Sequence, residues 1–183
     1  MKKTAKLVIA ILFMFCTFSC IRDPEIAAKE GAVLIAKKEK ANEGINILLD
    51  SLNLAAAQAD YKTYFKFFTE NATYNGTDAT ENWDRQTFMV WAHPYFEAKK
   101  TWNFKSVKRN IYRSEIYNDI AWFDELLSTQ MKICRGSGVV VKVDGKWKIQ
   151  QYVLSMTIPN SKLDEIVKIK TAEEDIILNQ LKK

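Results

Sequence analysis

The chain has 183 residues, 48% apolar and 12% aromatic, with 6 glycines and 3 prolines, which supports a core within one domain and excludes a disordered or multidomain chain. Its formal charge is +5, but three of the 27 Lys and Arg fall in the first six residues and the rest nearly balance the 22 acids, so the cationic excess of a nucleic-acid binder is lacking. The single histidine, His93, cannot build a multi-histidine centre, and neither a metal site nor a cofactor is expected.

Lys2, Lys3 and Lys6 precede an uncharged apolar run over 7–15, too short to cross a hydrocarbon core of about 30 Å as a helix. It reads as the core of a secretory signal peptide. Thr17-Phe18-Ser19-Cys20 places a small residue before a cysteine and resembles a bacterial lipoprotein signal. Removal of residues 1–19 would leave Cys20 as an acylated N-terminus, with the domain tethered to a membrane of the cell envelope on its periplasmic or surface side. An ordinary cleaved signal with an incidental Cys20 is the alternative. Cys16 leaves with the leader, so a lipidated Cys20 leaves Cys134 without a disulfide partner.

Residues 20–44 read as the lipidated terminus followed by a linker or helix. Over 24–59 the breakers are Gly31 and Gly44, and Ile45, Leu48, Leu49, Leu52 and Ala56 recur at helical spacing. Asp60 starts a short helix with Tyr64, Phe65 and Phe68 on its sticky side, and Asn75-Gly76 turns the extended piece that follows. Asn82 or Asp84 caps a third helix whose apolar stripe is Phe88, Trp91, Ala92, Tyr95 and Phe96. Pro94 disfavours a helical His93, so a bend is expected there. Strands are expected over 102–112, 120–127, 130–143 and 146–158, with Asp144-Gly145 as a hairpin turn and Asn118-Asp119 turning the first two. Ser161 three residues before Asp164 suggests a cap for an amphipathic helix over 161–183, with a break near Thr171. Helices followed by antiparallel strands define an α+β fold.

The segment Tyr74-Asn75-Gly76-Thr77-Asp78-Ala79-Thr80-Glu81-Asn82-Trp83 lies between the second and third helices. Later come Pro94-Tyr95-Phe96-Glu97, Ala121-Trp122-Phe123-Asp124-Glu125, Cys134-Arg135-Gly136-Ser137-Gly138-Val139 and Gly145-Lys146-Trp147-Lys148-Ile149. In this order they resemble the SnoaL-like branch of the nuclear-transport-factor-two-like superfamily over residues 45–160. The resemblance implies a cone-shaped α+β barrel, with a curved antiparallel sheet wrapped around the N-terminal helices, a pocket at the open end and frequent homodimerisation; the helix over 161–183 is an addition. It implies no particular chemistry, because related cones include isomerases, cyclases, dehydratases and modules without catalysis.

Asp124 and Glu125 are neighbours in a strand and point to opposite faces, so one of them enters the interior. That carboxylate either takes a proton or holds a ligand group, or it pairs with Arg135 on the next strand; the alternative for Arg135 is to clamp a substrate carboxylate. His93 is the near-neutral titrator, or else a helix-end surface residue. The catalytic candidates are therefore Asp124, Glu125 and His93, and the ligand-binding candidates Arg135, Tyr152, Tyr95, Trp83 and Trp122. Tyr64 is a further donor, or a core residue. Gly136 and Gly138 read as a site of close packing rather than a phosphate loop. The readings carried forward are a small, partly apolar ligand held in the cone cavity, a carboxylate-dependent isomerase, cyclase or dehydratase, and a dimerising or partner-binding module; no nucleic acid is expected.

Overall fold

Asp60 and Asp84 each stand at the start of a helix and accept a bond from the amide three residues on, at 3.0 Å from Thr63 and 2.7 Å from Thr87. Such bonds satisfy a donor the first helical turn leaves unpaired. In the computed structural model, residues 24–114 and 116–182 are described; the expected leader and Cys20 lie outside them. The helices are α1 (Pro24–Ala57), α2 (Tyr61–Lys66), α3 (Arg85–Glu97) and α4 (Leu163–Leu181), and the strands are β1 (Phe68–Asn75), β2 (Asn82–Asp84), β3 (Lys105–Arg113), β4 (Ile120–Thr129), β5 (Lys132–Val143) and β6 (Lys146–Met156). Among the described residues no helix is long and apolar enough to cross a membrane.

The chain divides into two units at Glu43. The described part of the first is helical, with Val33, Leu34 and Ile35 exposed. Gly44 onward forms the second unit, in which the sheet order is β2-β1-β6-β5-β4-β3. The strands from β3 to β6 form an antiparallel meander, as their periodicity predicts, and β1 pairs with β6 in parallel. The sheet is curved and unclosed. Two irregularities help to bend it. Val107 is an extra residue where Ser106 and Lys108 oppose Leu127 and Leu126, and Gln150 is extra where Ile149 and Gln151 oppose Val140 and Val139. A bulge of this kind increases local twist and reverses which side chains face inward beyond it. Gly138 lies beside the second bulge, where a Cβ would collide with the Gln151 carbonyl.

One side of the sheet is covered by helix side chains. Ile45, Leu48, Leu49, Leu52 and Ala56 of α1 are buried, as are Tyr64 and Phe65 of α2 and Phe88, Ala92 and Phe96 of α3. The α3 stripe is narrower than its spacing suggests, because Trp91 and Tyr95 remain partly exposed. The expected interruption at Pro94 does not occur, since α3 continues through it to Glu97. The proline sits in the last turn, and the carbonyl it deprives of a donor belongs to Val90, whose side chain is exposed. The Ser161 cap is also not formed. A 3₁₀ turn over Asn160–Lys162 leads into α4, which has no side-chain cap and runs unbroken past Thr171, whose hydroxyl bonds the Val167 carbonyl. No α4 residue is buried.

Candidate functional site

Alternation along β4 turns Ala121, Phe123, Glu125 and Leu127 inward and leaves Asp124 on the outer face. Glu125 is 1% exposed. Register places Arg109 of β3 directly opposite it, and the guanidinium meets Glu125 Oε2 through Nε at 2.9 Å and through its second terminal nitrogen at 2.8 Å. That nitrogen also reaches Asp50 at 2.9 Å, and the other faces the Asn46 side-chain and main-chain oxygens at 3.2 and 3.4 Å. The Tyr152 hydroxyl donates to Glu125 Oε1 at 3.3 Å. Burial, together with the Glu125 charge, pushes the Tyr152 hydroxyl well above the usual tyrosine range. Room for this cluster comes from Gly136, where a Cβ would collide with the Tyr152 hydroxyl and press on Glu125. Both Glu125 oxygens are thus engaged by groups of the chain itself.

A separate opening lies where α3, the β1–β2 loop and the β4–β5 turn meet. It is a cleft of about 170 Å³ lined by Tyr74, Trp83, Phe88, Trp91 and Trp102 together with Met131 and Leu154. The rings form a nearly parallel stack, with Tyr74 on Phe88 at 4.1 Å, Trp83 on Phe88 at 5.6 Å and Trp83 on Trp91 at 4.7 Å between centroids. Thr77, Glu81 and Gln130 supply the polar rim. Glu81 folds back over Gly76 and accepts the Asp78 amide at 3.2 Å, which fixes the loop carrying the rim carboxylate. Burial raises the Tyr74 hydroxyl far above its ordinary range, with the Glu81 charge adding to the effect.

The sequence-derived candidates are divided by this geometry. Trp83 lines the cleft. Tyr152 is buried beneath it, stacked on Tyr74 at 5.6 Å, with its hydroxyl committed to Glu125. Tyr95 is 43% exposed and packs on Trp91 from outside at 4.9 Å. Trp122 and Asp124 occupy the outer sheet face. Trp122 stacks on Tyr112, and Asp124 accepts from the Tyr112 hydroxyl at 2.9 Å and from Asn110 at 3.1 Å. The ion pair expected between Arg135 and the inward carboxylate is not formed. Arg135 is exposed, because it follows the inward Cys134 and must face the other way; Arg109 takes the role. His93 is exposed near the end of α3, 3.5 Å from Glu97 and edge-on to Tyr61. Cys134 is a buried free thiol. Among the described residues no group of His, Cys, Asp and Glu is placed to hold a metal ion.

The sequence reading missed Arg109 and Glu81. Arg109 sits in the charged run 105–113 and looks solvent-facing, but it shares parity with Ile111, the one buried residue of that strand, and that was the available signal. Glu81 lies in a polar loop without periodicity and gives none.

A curved, unclosed sheet with helices on its inner side is the architecture of the nuclear-transport-factor-two-like fold. The match of residues 45–159 to the SnoaL-like domain shows that the chain belongs to that family. No curated protein matches the chain. Among solved structures, a protein of cystatin-like fold from Caulobacter vibrioides aligns with TM-score 0.57 at 10% identity, covering 72% of this chain and 99% of its own. An NTF2-like protein of unknown function from Pseudomonas putida KT2440 aligns with TM-score 0.56 at 10% identity, covering 66% and 89%. A protein described as a scytalone dehydratase, from Novosphingobium aromaticivorans, aligns with TM-score 0.51 at 14% identity, covering 63% and 83%. At these identities the likeness is one of fold.

Proposed function

We propose that this SnoaL-like domain is a binding module that takes a ring-sized, partly apolar molecule into the cleft between Trp83, Trp91 and Met131, carried on an exported, lipid-anchored chain. The supporting observation is the stacked aromatic wall around a cleft of about 170 Å³; an apolar cavity of about 150 Å³ takes one benzene-sized guest. Such a guest buries about 150–250 Å², or about 4–6 kcal/mol at 25 cal/mol per Å², which corresponds to a dissociation constant of about 0.05–1 mM. The polar rim selects guests with one donor or acceptor. The test is calorimetric titration with indole, using Met131→Trp to fill the cleft. Binding in this range that the substitution abolishes supports the proposal; no binding, or binding unchanged by it, refutes it.

A catalytic reading has Glu81 as its rim carboxylate, because Glu125 is held by Arg109 and Tyr152 and Asp124 and His93 lie outside the cleft. A dehydratase or isomerase would use Glu81 as general base, and Glu81→Gln would then remove turnover while sparing guest binding. The outer face, where Val107, Tyr112 and Trp122 are exposed, is the surface we assign to homodimer formation. A monomeric sedimentation coefficient at high micromolar concentration contradicts that assignment. Export and the lipid anchor rest on the leader and Cys20, and Cys20→Ser should release the chain from the membrane fraction; unchanged partitioning contradicts the anchor.

A further inference from the structure

Beside α2, the second unit carries a groove that shares no lining residue with the cleft. One arm, about 520 Å³, has the half-buried Tyr61 and Met89 along its apolar side, beside the buried Phe65, with Lys62, Lys66 and Arg85 around them. The second arm, about 490 Å³, runs on past Phe67 and Trp147 and adds Lys146. Lys66 and Lys148 line both arms, which therefore adjoin at these two residues. The cations are gathered here by three separate parts of the sequence, the exposed side of α2, the start of α3 and the start of β6. Against five of them stands one acid, Glu70. Glu70 pairs with Arg85 at 3.0 Å, and Arg85 is held further by the Phe65 carbonyl at 3.4 Å. Among the described residues Lys66, Lys146 and Lys148 have no ion-pair partner within 4 Å, while the Lys62 charge acts on the neighbouring Asp60 carboxylate.

The surplus is local. Outside the first six residues the chain is nearly balanced in charge, so three unpaired ammonium groups, Lys66, Lys146 and Lys148, along two adjoining arms raise the potential there rather than over the whole surface. Walls of low dielectric on one side strengthen that field. An inorganic anion would use the charge and leave the apolar floor uncovered, and a neutral ring would do the reverse. We infer that the groove between α2 and the start of β6 binds an organic anion, a carboxylate or phosphate attached to a flat or extended apolar body, with the anion at Lys66 and Lys148 and the apolar body on Tyr61 and Met89. This site is distinct from the aromatic cleft, and its ligand differs in carrying a net negative charge. A soluble metabolite and the headgroup of an anionic lipid both present this chemistry.

The test is titration of the protein with 2-naphthoate, alongside its uncharged counterpart 2-naphthalenemethanol, read by amide chemical shifts. The inference expects 2-naphthoate to shift residues 61–67, 85–89 and 146–149, with affinity falling as salt rises, whereas the alcohol shifts the cleft residues around Trp83 and Met131. Lys66→Ala with Lys148→Ala removes two exposed or half-buried charges and should weaken 2-naphthoate about five- to tenfold without altering the alcohol. Lys66→Arg with Lys148→Arg should restore it. Vesicles of phosphatidylglycerol separate the sources: binding to both probe and vesicles, lost in the same double variant, indicates a headgroup, and binding to the probe alone indicates a soluble anion. If 2-naphthoate shifts only the cleft residues, or if the double alanine variant binds it unchanged, the inference is overturned. Failure of the alcohol to bind would count against the cleft reading and leave this one standing.

Discussion

Replacing Arg109 by Met, which keeps most of the side-chain volume and removes the charge, isolates the role of the buried carboxylate. Glu125 is 1% exposed and would retain only the Tyr152 hydroxyl at 3.3 Å. At an effective dielectric of 20 two charges about 3–4 Å apart attract by about 4–6 kcal/mol, most of which is offset by the cost of taking both out of water. Breaking such a pair from one side costs about 3–5 kcal/mol, a large share of the 5–15 kcal/mol that stabilises a typical domain. The reverse change is milder, because in Glu125→Gln the guanidinium keeps Asp50 and the Asn46 oxygens. We expect about 1–2 kcal/mol there. Replacing both, Arg109→Met with Glu125→Leu, should recover most of the loss. Urea unfolding at pH 7, followed by tryptophan fluorescence with a common m-value, measures all three. If Arg109→Met costs less than 1 kcal/mol, or less than Glu125→Gln, the carboxylate does not depend on that pair and the argument fails.

Gly136→Ala places a methyl group against the Tyr152 hydroxyl and Glu125; the expected loss is about 1–3 kcal/mol, and Tyr152→Phe should make the alanine better tolerated in a double-mutant cycle. Gly145 has φ +75° in the β5–β6 turn, next to Asp144 at φ +50°, so Gly145→Ala should cost about 1 kcal/mol in the same unfolding assay. Tyr64, Tyr74 and Tyr152 all have hydroxyls raised above the ordinary value of 10.0 by burial. A raised native value means that the folded chain holds the proton longer than the unfolded one, so stability is fully present below pH 10 and is lost as pH rises above it. Absorbance at the tyrosinate band should show these tyrosines ionising together with unfolding; ionisation before any loss of structure would contradict their burial.

The sequence is informative where one residue type answers a local demand. Asp60 and Asp84 cap their helices because an exposed amide needs an acceptor, and Asp144-Gly145 makes its hairpin because two left-handed residues are required. Alternation in β4 establishes that one of Asp124 and Glu125 is inside. It does not say which, since that depends on how β4 is seated against β3 and β5, and the bulges at Val107 and Gln150 reset parity on two strands. Arg135 was the nearest cation by strand order, and a shift of one residue put it outside. Ser161 and Asp164 meet the spacing of a cap, yet a 3₁₀ turn leaves the helix beginning at Leu163. The cleft is the least legible feature, because Trp83, Trp91 and Met131 come from three separate elements and each also reads as ordinary core.

The most direct measurement of whether the cleft receives a guest is an isotope-filtered nuclear Overhauser experiment on the protein with indole. The account predicts contacts from the indole ring protons to the Met131 methyl and to the Trp83 and Trp91 side chains, lost in Met131→Trp. Indole that contacts only Tyr61 and Met89, or that shows no contact with the protein, would contradict it.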